Sequence, residues 1–375
     1  MSPIATARRT SIAARRAAVG VAAIALLAIP ATANAASATW TVSHPPYTAV
    51  DNVPYAPLNA ISAISASNVW AVGQSSGTLL LDHYNGSSWS QSTLPSGPCS
   101  VFEADCNLTG VSSTSASNVI AIGDGTIPTS SGWQLETLAY RYNGSAWSQL
   151  TVPASIPYSA FEHIQAFSAT DAWAAGTAPD ATDTGSVVAA VNWNGSTWTQ
   201  VATPLDTTAN LTVNAISGDS ASDIWVVGET ATRGYTGGTR TSVLLHYNGS
   251  AWSQVTVPDN SGLLDVDAVS ATDAWAIAAD GSVLNWNGSA WSVVTTLELS
   301  NDAAIAALSP TDVWVAQLGG LSHYNGTAWT TTSLPSGVNV LTAHAVVSPG
   351  HVWFAGYYYP SNAVTAPAVL STTSG

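Results

Sequence analysis

The chain contains no lysine. Its seven basic residues are all arginine, and four of them, Arg8, Arg9, Arg15 and Arg16, fall in the N-terminal segment. Beyond it, only Arg141, Arg233 and Arg240 stand against 22 acidic residues, a formal charge of −19. Nucleic-acid and anionic-lipid binding need clustered Lys and Arg, so phosphate-rich partners are excluded. Charged residues make up 8% of the chain and hydrophobic ones 46%. That balance excludes a disordered polyelectrolyte and leaves apolar surface for a large core. Long apolar runs are also missing. The one candidate, "AAVGVAAIALLAIP" (17–30), is short and broken by Pro30, unsuited to a bilayer span. With arginines before it and "ANA" (33–35) after it, it reads as a secretory signal peptide, 1–35. The arginine pairs fit twin-arginine export poorly, so Sec export is expected, with residues 36–375 as the extracellular mature protein. Cysteine is nearly absent. Cys99 and Cys106, seven positions apart, are expected to form a disulfide in an exported chain. Helical periodicity is missing throughout.

What is present is a repeat. "SASNVWAVG" (65–73) returns as "SASNVIAIG" (115–123), "SATDAWAAG" (168–176), "SASDIWVVG" (220–228), "SATDAWAIA" (270–278), "SPTDVWVAQ" (309–317) and "SPGHVWFAG" (348–356). The tryptophan position runs Trp70, Ile120, Trp173, Trp225, Trp275, Trp314, Trp353, at spacings of 39 to 53 residues. A β-rich period of this length is a propeller blade. In each copy the innermost strand, such as "VNAIS" (213–217), precedes a polar turn, a second strand "IWVVG", and a third strand "SVLLHY" (242–247). Asn-Gly then marks a two-residue hairpin into the outer strand. The outer-strand tryptophans are Trp40, Trp89, Trp147, Trp198, Trp252, Trp291 and Trp329. The first has no blade before it, while "PAVLSTTSG" (367–375) is a third strand with nothing after it. The two ends should share one blade. The expected fold is therefore all-β: a seven-bladed propeller of four-stranded antiparallel blades, closed by the N-terminal strand. Closure removes the open sheet edges.

Most chemistry-bearing residues are absorbed by this pattern. His83, His246 and His323 occupy one third-strand position in three blades. They lie too far apart for ligands that must sit about 2 Å from one ion. Asn85, Asn143, Asn194, Asn248, Asn287 and Asn325 match a glycosylation sequon, but the turn accounts for them. Asp171, Asp223, Asp273 and Asp312 are one turn position repeated, not a hydrolytic carboxylate pair. "DATDTG" (180–185) is an incomplete calcium loop, so no cofactor is expected.

The repeated phrases resemble those of bacterial secreted proteins with "DVWAVG…YNGxxW" repeats. Over about residues 38–375 the layout is similar to Kelch and galactose-oxidase central-domain propellers and to Ycf48/BNR-type repeats. The resemblance implies the propeller and no single function. Kelch blades carry a Gly-Gly pair where this chain has one glycine, and "YNGSAW" lacks the aspartate of a BNR box.

Short, uniform "SATD" and "NG" turns make one face scaffold, so function is expected on the opposite, variable face. Blades two to four carry the longer insertions. Trp133 lies outside both tryptophan series, in the expected loop 123–136; Arg233, Tyr235 and Arg240 lie in "ETATRGYTGGTR" (229–240), and Asp180 and Asp183 in "DATDTG" (180–185) between them. A stacking ring beside Arg and Asp suits a sugar. The expected function is non-enzymatic binding by a monomer, with a glycan as partner. The alternative is an envelope or extracellular protein scaffold. A glycoside hydrolase or lyase comes third.

Overall fold

The computed structural model describes residues 39–47, 55–101, 103–153, 161–179, 186–204, 206–207, 210–231, 240–298, 303–348, 350–361 and 364–373. The expected signal peptide lies outside them. Seven antiparallel sheets follow one another along the chain, each built from four consecutive strands except the last. Blade seven takes three strands from the C-terminal end and its fourth, outer strand from Thr39–Ser43, with Trp40 opposite Thr372. The ring is thus closed by the N-terminal strand. Blade three carries one extra two-residue strand, Asp206–Thr207, on its third strand.

The tryptophan repeat is the blade-to-blade cement. An outer-strand tryptophan meets, edge to face, the second-strand tryptophan of the preceding blade. The pairs are Trp89 on Trp353, Trp147 on Trp70, Trp252 on Trp173, Trp291 on Trp225, Trp329 on Trp275 and Trp40 on Trp314. Edge-to-face packing sets the positive ring edge on the negative ring face and adds to the large apolar area each indole buries. The seventh junction lacks a second-strand tryptophan. There Ile120 and Trp198 share one core cluster, and Phe161 packs edge to face on Trp198 at 4.9 Å. The tyrosine before each Asn-Gly joins in: Tyr142 packs on Trp70, Tyr247 on Trp173 and Tyr84 on Trp353.

The third-strand histidines are structural. His83, His246 and His323 each stack on their own blade's tryptophan and bond the residue two before it, Asn68, Asp223 and Asp312 respectively. Arg141 bonds Asn118 in the same way in blade two.

The hairpin between third and fourth strands has two loop residues, but they are Gly-Ser or Gly-Thr rather than Asn-Gly. The Asn85 amide bonds the Ser88 carbonyl, while the Asn85 side chain accepts the amides of Ser87 and Ser88. Gly86 takes φ 94°, as the first residue of a type II′ loop requires. A Cβ on Gly86 would also lie 2.7 Å from the Cβ of Ser67. The two short turns therefore share a face and touch. A second glycine requirement ends the "WAVG" strand. A bulge in the innermost strand pushes the Pro57 carbonyl to 2.1 Å from where a Gly73 Cβ would sit.

Candidate functional site

Two places gather chemistry: the central channel and the variable face. The channel is a cavity of about 460 Å³ lined by innermost-strand residues of the blades. Its wall is stitched by side chains that accept amides from the next blade. Ser62 takes the Ser113 amide, Ser112 that of Ala166, Ser217 that of Ala268, and Asp267 that of Ala307. These residues all stand opposite the second-strand aromatic position of their own blade.

Blades six and seven have only Ala306 and Ala345 at that level, so their stitches are missing. His344 replaces them. Its Nδ1 lies 2.9 Å from Asp265 and its Nε2 3.5 Å from Asp267, both on blade five. Blade six's innermost strand is almost all alanine, "AAIAALS", which lets the imidazole reach past it. Asp265 also accepts the Ile305 amide and Asp267 the Ser217 hydroxyl. One clamp thus ties blades four to seven. Burial opposes charge on His344, but the two carboxylates overcome it and hold its pKa well above the ordinary value. His163, elsewhere on the channel wall, is pushed down by burial against a bond to the Val213 carbonyl. Apart from Asp265 Oδ1, which accepts the Val266 amide of its own strand, the clamp's hydrogen bonds run between blades.

On the variable face the second-to-third hairpins differ in height. Second strands begin at equivalent positions, yet run Asn68–Ser75 in blade one, Asn118–Thr129 in blade two and His351–Ser361 in blade seven. Blades two and seven project three or four residues further, roughly 10–14 Å. The segment expected as a loop, 123–136, is therefore hairpin: strands reach Thr129 and restart at Gly132. The "YYYP" segment (357–360) likewise lies in a strand. Backbone bonds tie the turns and connections beside these hairpins to one another. Ala56 bonds Thr365, Ser76 bonds Tyr55, and Cys106 bonds Gly77. The Cys99–Cys106 disulfide pins the connection from blade one to blade two.

The same face carries six of the eight large apolar side chains that are exposed among the described residues: Tyr55, Val101, Trp133, Leu135, Leu318 and Tyr359. The other two, Val293 and Val294, lie on an outer strand of blade five. The Asn-Gly face has none among the described residues. Trp133, at 60% exposure, is the most exposed. Leu138 and Tyr140 point into the core shared with blade one, while Ala139 points into the core shared with blade three. By strand alternation Trp133 and Leu135 lie on the blade-three side.

Carboxylates line the base of that side. Asp124 is held above the ordinary carboxylate range by burial and by Asp105. Glu162, at the start of blade three, is pushed up to about 7 by burial; bonds from Thr177 oppose this and Asp124 adds to it. Of the other residues expected at the site, Arg240 is on blade four and pairs with Glu229 at 3.0 Å. Arg233, Tyr235, Asp180 and Asp183 lie outside the described residues. Sequence reasoning missed the clamp, and it missed Tyr55, Val101 and Leu135. The Asp-x-Asp of "LLDVDAVS" was the one signal for the clamp.

No helix among the described residues is long and apolar enough to cross a membrane. No family model matches the sequence, and no curated protein matches it. Solved structures do. A Ycf48 bound to a D1 peptide has 16% identity and a TM-score of 0.61, covering 90% of this chain and 95% of its own. Ycf48 from Cyanidioschyzon merolae has 14% identity and a TM-score of 0.58, covering 89% and 98%. The WD40 β-propeller domain of Doa1 has 11% identity, a TM-score of 0.58 and the same coverage. At such identities the likeness is one of fold: the chain is a seven-bladed β-propeller similar in architecture to these three.

Proposed function

We propose that the chain is an exported, non-enzymatic binding propeller whose variable face holds a segment of another protein. One observation carries the reading: the large exposed apolar side chains concentrate on that face, while the opposite face carries none among the described residues. Aromatic side chains with little entropy to lose are the usual anchors of protein interfaces. Trp133 and Tyr359 stand on paired hairpin strands, so little ordering cost remains on binding. The similarity in fold to a Ycf48 bound to a peptide supports the choice of partner class. The basic and apolar N-terminal segment and the disulfide support export. The chain acts as a monomer in this reading and needs no cofactor.

A second reading is kept for one observation, the solvent-exposed indole of Trp133. An exposed indole stacks on a sugar ring, and Arg233, Tyr235, Asp180 and Asp183, outside the described residues, are the polar groups the sequence offers beside it. One comparison separates the two. The mature protein is panned against a random dodecapeptide library and screened on a glycan array. The first reading expects peptides that bind in the micromolar range and weaken at least tenfold with Trp133→Ala or Tyr359→Ala. Glycan binding lost with Trp133→Ala, and no such peptides, would replace it with the second. An unchanged peptide affinity in both variants would overturn the assignment of the face.

A further inference from the structure

One side of the blade-two hairpin's projecting strands has no packing partner among the described residues. That side carries Trp133 and Leu135, both exposed. Below them stand Asp105, Asp124 and Glu162, from the first and second strands of blade two and the start of blade three. Through space Asp105 raises the Asp124 carboxyl, and Asp124 in turn raises that of Glu162. No described residue of opposite charge answers them. Arg141 is at the other end of blade two, bonded to Asn118. Arg240 is two blades away, paired with Glu229. His163 is turned to the Val213 carbonyl.

We propose that this side of the hairpin docks a basic peptide segment, with an apolar residue against Trp133 and Leu135 and a lysine or arginine reaching the carboxylates at its base. The proposal rests on the reading of the variable face as a peptide site and names that peptide's chemistry. Geometry and charge point the same way. The register sets Asp124 opposite Thr137, four residues or roughly 13 Å below Trp133, so the indole and Leu135 take the apolar residue while the carboxylates take the cation. The carboxylates repel one another in a half-buried setting, so their ordinary ionised state is costly until a cation arrives. The elevated pKa of Asp124 and Glu162 records that cost.

The test uses synthetic dodecapeptides of alternating lysine and leucine, a matched glutamate–leucine peptide, and the full mature protein. The lysine peptide should bind at least tenfold more tightly than the glutamate peptide, and more weakly as salt rises from 50 to 500 mM. Asp124→Asn should cost about fivefold and Trp133→Ala about tenfold. Asp219→Asn removes the same charge from an exposed site at the first-to-second turn on the opposite face. It should change affinity less than twofold. Asp124→Asn relieves repulsion, so its melting temperature should hold or rise while binding falls, which a merely structural role would not give. Equal binding of both peptides, or an equal loss with Asp219→Asn, would overturn the proposal. Library peptides that need Trp133 but carry no basic residue would overturn it while leaving the peptide reading in place.

Discussion

Replacing Asp82 by leucine should stabilise the protein, and by more as pH rises. Asp82 sits on the third strand of blade one, fully buried, and neither carboxyl oxygen has a hydrogen-bond partner. The register puts Leu245, Leu284 and Leu370 at the same place in blades four, five and seven. Leucine is therefore the residue that three of the other six blades use there, the rest having Tyr140, Val191 and Ser322. Burial pushes the Asp82 carboxyl from 3.8 to about 8. With the folded pKa above the unfolded one, stability is full below pH 4 and declines as pH rises toward 8. The slope is about 1.4 kcal/mol per pH unit. At pH 7 the ionised unfolded state has gained roughly 4 kcal/mol on the protonated folded one. The unpartnered carboxyl costs about 1–3 kcal/mol more at every pH. Urea unfolding of Asp82→Leu and the parent should therefore differ by about 1–3 kcal/mol at pH 4 and by roughly 5 kcal/mol or more at pH 7. A difference that stays constant across pH would refute the burial argument. A destabilised variant would mean that Asp82 has a role its neighbours require.

Deleting residues 39–43 removes the strand that completes blade seven and takes Trp40 off Trp314; calorimetry should show a loss of at least about 3 kcal/mol, and an unchanged melting temperature would contradict ring closure. Trp147→Ala should cost about 3–5 kcal/mol because the indole is buried against Trp70 of the preceding blade, whereas Trp133→Ala should cost under about 0.5 kcal/mol; denaturant midpoints for the two variants check the contrast. His344→Ala should destabilise most in mildly acidic buffer, below the ordinary histidine range. A raised imidazole pKa gives stability that is present below the ordinary histidine range and lost as pH climbs through the folded value. The gap between variant and parent should therefore shrink in alkaline buffer, and a pH-independent gap would leave His344 as packing alone.

The ring was legible because its determinants repeat. Two tryptophan series with one orphan at the start and one missing strand at the end determine the blade count and the closure without any long-range information. The clamp was illegible for the opposite reason. Asp265, Asp267 and His344 each occur once, some 80 residues apart, and only ring closure brings them together. Their contact depends on absent side chains at Ala306 and Ala345 as much as on their own. The projecting hairpins were hidden by composition. "TIPT" and "GWQLE" alternate weakly and contain Pro128, so local propensity favours a loop, while pairing along a strand already begun in the core extends both strands. Trp133 stood out because it breaks the series. Leu135 did not, since an apolar residue in a strand gives no sign of whether a neighbouring blade covers it.

The most direct measurement is hydrogen exchange on the mature protein with and without a dodecapeptide selected by panning. The account predicts slowed exchange in Asn118–Thr129 and Gly132–Tyr142 and at the start of blade three, with the Asn-Gly turns unchanged. Slowed exchange confined to the Asn-Gly turns or to the innermost strands around the channel, with the blade-two hairpin exchanging as before, would contradict it.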